Sequence, residues 1–283
     1  MSAFLELKNV NKAFGGVQAI KDMSFFLEQG ELAGMIGPNG AGKTTVFNVI
    51  SNVYNSDSGQ VLFDGKDITR LRSYQIVRIG IARTFQNLRL FSRSSVLENV
   101  MTAMQNRYIH TFHESLMRLM PVYRPIYRPD PDYRYSFFES ITHFGGWNSK
   151  EKKNRSASME LLERVGLAER AEQIAGTLPY GMQRRLEIAR ALALKPTLLM
   201  LDEPAAGMNE EEVFALNDLI KAIHKDHSLT ILVIEHHMDL IMQICPHIIC
   251  MNFGAKIAEG SPDIIQKNPE VLKAYLGDDE EVA

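Results

Sequence analysis

An eight-residue run near the N-terminus constrains the fold of this chain more than any other feature. The run, Gly37-Pro38-Asn39-Gly40-Ala41-Gly42-Lys43-Thr44, fits the pattern G-x-x-x-x-G-K-S/T. It follows an apolar stretch, Leu32 to Ile36, that predicts a buried strand, and it opens a stretch, Thr44 to Val53, with helical character. Glycines let a backbone wrap closely around phosphate oxygens, and the N-terminus of a helix adds positive potential. The run and the adjacent Thr45 therefore predict a nucleotide site, in which Lys43 neutralises phosphate charge and the Thr44 hydroxyl binds Mg²⁺.

A second apolar stretch ends in two acids. Leu198-Leu199-Met200-Leu201 precedes Asp202 and Glu203 and predicts a buried strand with both carboxylates at its tip. Taken alone, the pattern is equally consistent with a solvated acidic turn after a strand. With the phosphate-binding run upstream, we interpret Asp202 as a Mg²⁺ ligand, directly or through water, and Glu203 as the group that polarises the attacking water.

The rest of the sequence alternates between helical and strand patterns. Arg184 to Leu194 and Glu210 to Lys225 predict helices, and Leu229 to Ile234 predicts another buried strand, so we expect a largely parallel α/β sheet. The first 36 residues predict short strands separated by turns. Residues 107–148, rich in aromatic and basic side chains and in proline, are interpreted as an insertion in a helical subdomain.

Charge and hydrophobicity exclude several classes of protein. The formal net charge of -3 argues against general nucleic-acid binding. The sequence has neither a secretory signal at its N-terminus nor an uncharged apolar run of about 18 residues, so we expect it to reach a membrane only through other subunits. The two cysteines, Cys245 and Cys250, lie in an apolar part of the sequence and are interpreted as buried thiols.

Five further features follow one another in a fixed order. They are Phe14, Gln86 within Arg83-Thr84-Phe85-Gln86-Asn87, the stretch Leu178 to Arg185 followed by Leu186-Glu187-Ile188-Ala189-Arg190-Ala191-Leu192, Ala206 to Asn209, and His236. Each one alone is as well explained by an ordinary core or surface residue. In this order, and together with the phosphate-binding run and the acidic strand tip, they make the chain resemble the ABC ATPases over residues from about 4 to 276.

The resemblance implies a role for each matching residue. Phe14 would stack on adenine, Gln86 would sense Mg²⁺ and the γ-phosphate, and His236 would contact the γ-phosphate. Two subunits would pack head to tail with ATP between them, so that Gly181 and Asn209 serve the partner's nucleotide. The implied catalytic set is Glu203, His236, Gln86 and Lys43, and the implied metal ligands are Thr44, Gln86 and Asp202.

The resemblance also implies a domain organisation. We expect a P-loop NTPase (RecA-like) core with an antiparallel β subdomain over residues 1–86 and 187–260, and an inserted α-helical subdomain over residues 87–186. Residues 261–283 would form a C-terminal helical segment with an acidic tail.

Three positions depart from the family pattern. The stretch Leu178 to Arg185 stands where the family has its LSGGQ signature, and Pro179 replaces the serine of that signature. In the family this serine reaches across the dimer to the γ-phosphate, whereas a proline has neither hydroxyl nor backbone N–H. His236 matches the switch histidine of the family, and His237 follows it where the family usually has Asp. Asn209 replaces the commoner aspartate of the family's D-loop, which residues 206–209 match. The first change is expected to weaken the partner's site.

Several short stretches of the sequence resemble one branch of the family. Arg83 to Phe91 with Val96 to Val100, Glu203 to Asn209, and the ending Asn268 to Gly277 resemble the branched-chain amino acid importers of the LivG type. That resemblance implies a second ATPase subunit, identical or different, two membrane-spanning permeases, an extracytoplasmic solute-binding protein, and a peripheral position on the cytoplasmic face of the inner membrane. An ATPase for urea, amides or other small solutes, and a non-transport ABC protein of DNA or ribosome metabolism, are the alternatives.

Overall fold

The computed structural model describes residues 3–104, 147–227, 229–236 and 238–276. The expected insertion over residues 107–148, except for its last two residues, lies outside the described residues, as do the acidic tail and His237. The strands are β1 Leu5–Phe14, β2 Val17–Leu27, β3 Leu32–Ile36, β4 Ser58–Phe63, β5 Lys66–Asp67, β6 Ile81–Arg83, β7 Leu198–Asp202, β8 Thr230–Ile234, β9 His247–Asn252 and β10 Ala255–Gly260. The helices are α1 Lys43–Ile50, α2 Ser73–Arg78, α3 over residues 96–104, α4 Trp147–Arg164, α5 Tyr180–Ala193, α6 Glu210–His227, α7 Met238–Ile244, α8 Pro262–Gln266 and α9 Pro269–Leu276.

A six-stranded sheet of order β10-β9-β3-β8-β7-β6 forms the centre of the first unit. All of its pairings are parallel except that of β10 with β9. Every residue of β3, β7 and β8 is buried, as expected of parallel strands covered on both faces. The register pairs Ile234 with both Met35 and Asp202, so the ends of β3 and β7 lie level on either side of β8. The chain therefore delivers the phosphate-binding run and the two acids to one edge of the sheet, where α/β sheets bind ligands.

A second, antiparallel sheet has the order β2-β1-β4-β5 and confirms the predicted β subdomain. Its first two strands are longer than the short runs that the sequence predicts. The ladder between them shifts register near Val10 and Lys12, and Asn9 and Asp22 adopt left-handed φ values of 45°. Such bulges break the alternation of apolar and polar residues, so a pattern of period two identifies only fragments of each strand.

The chain divides into two compact units. The first contains residues up to Ile76, Ile81–Gln86, and Thr197 onward; the second contains Val77–Gly80 and Asn87–Pro196. The second unit includes helices α3, α4 and α5, with Leu162, Val165 and Leu186 in its core. It extends past the boundary expected between residues 186 and 187, because that boundary falls inside the continuous helix α5.

Helix α5 begins earlier than the sequence indicates. The predicted start at Arg184 lies a full turn inside the helix, which begins at Tyr180. Pro179 stands at the N-cap with φ -53°, and its carbonyl accepts hydrogen bonds from the N–H groups of Met182 and Gln183, both at 3.0 Å. A proline is well tolerated there because its missing N–H would have no partner within the helix. Among the helices of the described residues, none combines the length and apolar character needed to cross a membrane.

Candidate active site

The phosphate-binding run forms the turn between β3 and α1 that the sequence predicts. Gly37 (φ 153°) and Gly42 (φ 98°) have conformations that side chains disfavour. A Cβ on Gly37 would lie 2.2 Å from the Met251 carbonyl oxygen, and one on Gly42 would lie 2.3 Å from the carbonyl oxygen of Ala19. These two glycines let the loop pack directly against β2 and β9, while Gly40 faces open space.

Lys43 is the first residue of α1 and is 5% exposed. Its Nζ donates hydrogen bonds to the carbonyl oxygens of Gly37, at 2.6 Å, and Pro38, at 3.0 Å. Burial lowers the pKa of Lys43, although nearby acids, Glu203 foremost, oppose that shift. The ammonium group therefore faces the carbonyls of its own loop and the acids that follow β7, where phosphate oxygens would compete for it.

Asp202 is fixed by Arg83, the last residue of β6. Asp202 Oδ2 lies 2.6 Å from Arg83 Nη2, and the side chains of Asp202 and Arg83 are 2% and 6% exposed. The other arm of the guanidinium donates to Asn48 Oδ1 at 2.7 Å and to Ser51 Oγ at 3.1 Å. Arg83 therefore ties helix α1 to the acidic tip of β7. The sequence identified Arg83 only as part of the stretch around Gln86; its position at the end of a strand beside β7 was the available signal.

Glu203 occupies a strained backbone position one residue beyond β7. Its φ is 46°, a conformation that costs a non-glycine residue on the order of 1–3 kcal/mol. Its N–H donates to the Ile234 carbonyl oxygen at 3.0 Å, so the end of β8 holds this geometry. The Gln86 side-chain amide donates from Nε2 to Glu203 Oε2 at 2.7 Å. Two predicted catalytic residues separated by more than a hundred positions are thus brought into direct contact.

His236 and the preceding Glu235 follow β8, which lies between β3 and β7. Glu235 is completely buried, and its Oε1 accepts a hydrogen bond from the Ala205 N–H at 2.9 Å. The His236 side chain is 37% exposed, and its Nδ1 lies 3.9 Å from Glu235 Oε2. The buried carboxylate of Glu235 therefore links the segment that carries His236 to the segment after Glu203. Glu235 was not predicted, because in the sequence it resembles any polar residue at the end of a strand.

Phe14, at the end of β1, presents an exposed aromatic ring. The ring is 42% exposed and meets Tyr54 edge-on, with 5.1 Å between the ring centroids. Lys12 Nζ lies 5.2 Å from the centroid of the Phe14 ring. This arrangement suits the stacking of a nucleotide base on Phe14, with Tyr54 as a neighbour that the sequence did not indicate.

The residues expected to serve a partner's nucleotide lie in different units. Gly181 is buried in the first turn of α5, in the second unit. Asn209 precedes α6 in the first unit and forms a capping box there: its Oδ1 accepts from the Glu212 N–H at 2.9 Å, and Glu212 Oε2 accepts from the Asn209 N–H at 3.1 Å. The side-chain oxygen of Asn209 therefore has a structural role within its own chain.

The donor set fits magnesium. Asp202, Thr44 and Gln86 supply a carboxylate, a hydroxyl and an amide oxygen, which are hard donors that Mg²⁺ accepts. Within the described residues, no three His, Cys, Asp or Glu side chains gather into a metal cluster. Magnesium in nucleotide sites binds through one or two carboxylates and the substrate phosphates, so these residues match that mode of binding.

Comparison with known proteins identifies the family of this chain. Residues 20–206 match the family described as ABC transporter, and residues 255–281 match the family described as Branched-chain amino acid ATP-binding cassette transporter. The chain is 41% identical over 275 residues to the high-affinity branched-chain amino acid transport ATP-binding protein BraF of Pseudomonas aeruginosa, covering 97% of this chain and 98% of BraF. It is 38% identical over 274 residues to LivG of Escherichia coli, another high-affinity branched-chain amino acid transport ATP-binding protein, with coverage of 97% and 98%.

Similarity to a solved structure indicates the same family. The structure of MJ1267 in its ADP conformation, an ATP-binding cassette of an ABC transporter, matches with a TM-score of 0.75 and 26% identity, covering 98% of this chain and 100% of that one. The predicted α/β fold class and the resemblance stated from the sequence are both confirmed. This chain belongs to the ABC transporter family of ATPases, among the branched-chain amino acid transport ATP-binding proteins.

Proposed function

We propose that this chain hydrolyses ATP to power the import of branched-chain amino acids. The observation that carries the cargo class is the near full-length identity of 41% to BraF. The match of residues 255–281 to the branched-chain amino acid cassette family supports it from the C-terminal segment, outside the catalytic motifs.

The chemistry follows from the residues at the carboxyl edge of the sheet. The backbone N–H groups of residues 39–45 and the Lys43 ammonium bind the phosphates of ATP, and Phe14 stacks on adenine. Glu203 takes a proton from water while the water oxygen attacks the γ-phosphorus. The bond to the β,γ-bridging oxygen breaks, and ADP and inorganic phosphate are the products. Mg²⁺, held by Thr44, Asp202 and Gln86, would neutralise developing charge on the phosphates.

Gln86 and His236 complete the site. The hydrogen bond from Gln86 keeps the Glu203 carboxylate in one orientation, and His236 would contact the γ-phosphate at the end of β8. The Arg83–Asp202 ion pair holds the neighbouring carboxylate in place. These contacts preorganise the acids before substrate binds, which avoids reorganisation in the transition state.

The active assembly is a head-to-tail pair of cassettes, in which Gly181 and Asn209 of each subunit complete the partner's nucleotide site. ATP binds the closed pair more strongly than the open pair and so shifts the population towards closure. The first unit corresponds to the nucleotide-binding core with its β subdomain, and the second to the helical subdomain that would meet two permeases. An extracytoplasmic binding protein would deliver the cargo, and the chain would lie peripherally on the cytoplasmic face of the inner membrane.

Copurification tests the proposed assembly. The tagged chain is extracted from membranes in mild detergent, and the copurifying proteins are identified by mass spectrometry. We expect two multi-helix membrane proteins and a second cassette. Recovery with ribosomal or DNA-processing proteins and without membrane subunits would refute the proposal.

A further inference from the structure

The C-terminal helix α9 lies beside the phosphate-binding loop. A cavity of about 540 Å³ is lined by Pro38 to Ala41 of the loop, by the turn between β9 and β10, and by Glu270, Lys273 and Ala274 of α9. The same turn is bonded to the loop, because the Gly254 N–H donates to the Ala41 carbonyl oxygen at 3.0 Å. The segment that matches the branched-chain amino acid cassette family therefore includes direct neighbours of the phosphate-binding loop.

Tyr275 follows Ala274 near the end of α9 and has a buried hydroxyl close to Gly37. Its hydroxyl oxygen is buried and makes no hydrogen bond of ordinary geometry with another group among the described residues. Burial raises the pKa of Tyr275; the nearby Cys250 thiol adds to the shift, and the Gly37 N–H, which faces the hydroxyl, opposes it. Buried hydroxyls without a hydrogen bond are uncommon, so this one requires a physical explanation.

Gly37 connects Tyr275 to the nucleotide site. The Gly37 carbonyl oxygen accepts the hydrogen bond from Lys43 Nζ at 2.6 Å, while its N–H faces the Tyr275 hydroxyl. Phosphate oxygens bind the ammonium more strongly than carbonyl oxygens do, because a charge-assisted bond is stronger than a bond to a neutral acceptor. Nucleotide binding would therefore draw Lys43 away from the Gly37 carbonyl and free the first glycine of the loop to adjust.

We propose that Tyr275 is a positioning residue for the phosphate-binding loop: its hydroxyl accepts the Gly37 N–H when nucleotide is bound, so that helix α9 contributes to nucleotide affinity. The Tyr275 hydroxyl then stabilises the nucleotide-bound protein more than the nucleotide-free protein. This inference rests on the proposed role of residues 37–45 as the nucleotide site. A structural role alone would stabilise both states equally.

The test is the variant Tyr275→Phe in the full-length chain, with MgADP affinity measured by calorimetry. Loss of one hydrogen bond in the bound state should raise the Kd for MgADP by about 3–10-fold. The melting temperature of the nucleotide-free variant should be unchanged or higher, because an unsatisfied hydroxyl has been removed. In turnover, KM for ATP should rise while kcat at saturating ATP stays within about twofold, as for a residue that acts on binding.

Two variants separate the possible failures. Leu272→Ala changes an exposed residue of the same helix and should leave the Kd for MgADP at the wild-type value. Lys43→Ala should lose most MgADP binding; if it does not, the assignment of the nucleotide site fails, and this inference with it. If Lys43→Ala loses binding but Tyr275→Phe binds MgADP like the wild type, or weakens binding only in proportion to a lowered melting temperature, the positioning role is refuted and the site assignment stands.

Discussion

Gln86 and Glu203 share a hydrogen bond of 2.7 Å between the side-chain amide nitrogen of one and a carboxylate oxygen of the other. The two residues reach this contact from different strands, since Gln86 follows β6 and Glu203 follows β7. A base oriented by a second side chain is the arrangement expected for activation of water. The pair therefore allows the catalytic assignment to be tested through coupling between the two sites.

The effects of replacing Gln86 and Glu203 on kcat for ATP hydrolysis should be strongly non-additive. Glu203→Gln should lower kcat for ATP hydrolysis by about 10²–10⁴-fold, the usual contribution of a general base, while ATP binding is retained. Gln86→Ala alone should lower kcat by about tenfold, and it should lower kcat by clearly less in the Glu203→Gln background, because only the contact of Gln86 with the metal remains to be lost. Steady-state kinetics and nucleotide titration measure both effects.

The matched control is Glu211→Gln, which makes the same chemical change at an exposed position in α6. Its turnover should equal that of the wild type. Unchanged turnover in Glu203→Gln, or independent effects of the two replacements, would contradict the assignment of Glu203 as the base.

The Arg83–Asp202 ion pair makes a prediction about stability. Arg83→Met removes one partner of a pair whose side chains are only 6% and 2% exposed, so Asp202 is left as a buried charge. The expected loss is about 3–5 kcal/mol in the free energy of unfolding, measured by urea denaturation. The double variant Arg83→Met with Asp202→Leu should recover part of this stability yet hydrolyse no ATP, because Asp202 is a proposed metal ligand. A double variant no more stable than Arg83→Met would show that the buried carboxylate of Asp202 is not the cause of the lost stability.

His247, the first residue of β9, should make stability depend on pH. Its ring nitrogens contact Glu259 Oε1, at 3.0 Å, and Glu31, and Lys256 pairs with Glu259 on the adjacent strand. The hydrogen bonds to Glu259 and Glu31 raise the pKa of His247 from 6.5 to about 9. A raised pKa stabilises the folded chain fully below the unfolded value, and this contribution is lost as pH rises through the folded value.

The free energy of unfolding should therefore fall by roughly 2–3 kcal/mol between pH 6 and pH 10 through this group. Chemical denaturation at several pH values measures the slope. His247→Gln should be less stable than the wild type at pH 6 and should lose most of the slope. An unchanged slope in this variant would assign the pH dependence to other groups.

Pro179 should limit hydrolysis at the partner's site. The residue is exposed at the N-cap of α5, where serine is a favoured capping residue, so Pro179→Ser should be tolerated by the fold. If the signature meets the partner's γ-phosphate, the new hydroxyl adds a hydrogen bond to a charged group, and turnover of the assembled pair should rise by about tenfold. Pro179→Ala, which restores only the backbone N–H, should give a smaller increase. Equal turnover in all three proteins would contradict contact between this position and nucleotide.

Local sequence patterns predicted the elements that carry the chemistry. The strand, loop and helix around Lys43 follow from glycine spacing and an apolar run, and β3 begins and ends where it was expected. The two acids at the tip of β7 were equally predictable. A parallel strand that is buried on both faces is a continuous run of apolar residues, so the acids at its end stand out in the sequence.

Contacts between distant parts of the chain could not be predicted in the same way. The pairing of Arg83 with Asp202, the burial of Glu235 and the approach of Tyr54 to Phe14 depend on strand order, which one sequence does not specify. The capping box of Asn209 and Glu212 was predictable from local sequence, because Asn-x-x-Glu before a helix is typical of this motif, but only the role of Asn209 in the dimer was predicted. Local patterns therefore identified the residues, and tertiary structure determined their partners.

Transport by the purified complex distinguishes branched-chain amino acids from the other possible cargoes. Liposomes carrying this chain with its copurifying cassette and permeases are loaded with MgATP, and uptake of labelled leucine is measured in the presence of the binding protein. We predict accumulation of leucine that requires ATP, is competed by isoleucine and valine, and is abolished by Glu203→Gln. Accumulation of urea or a short amide in place of leucine, or leucine uptake that persists in Glu203→Gln, would contradict the account.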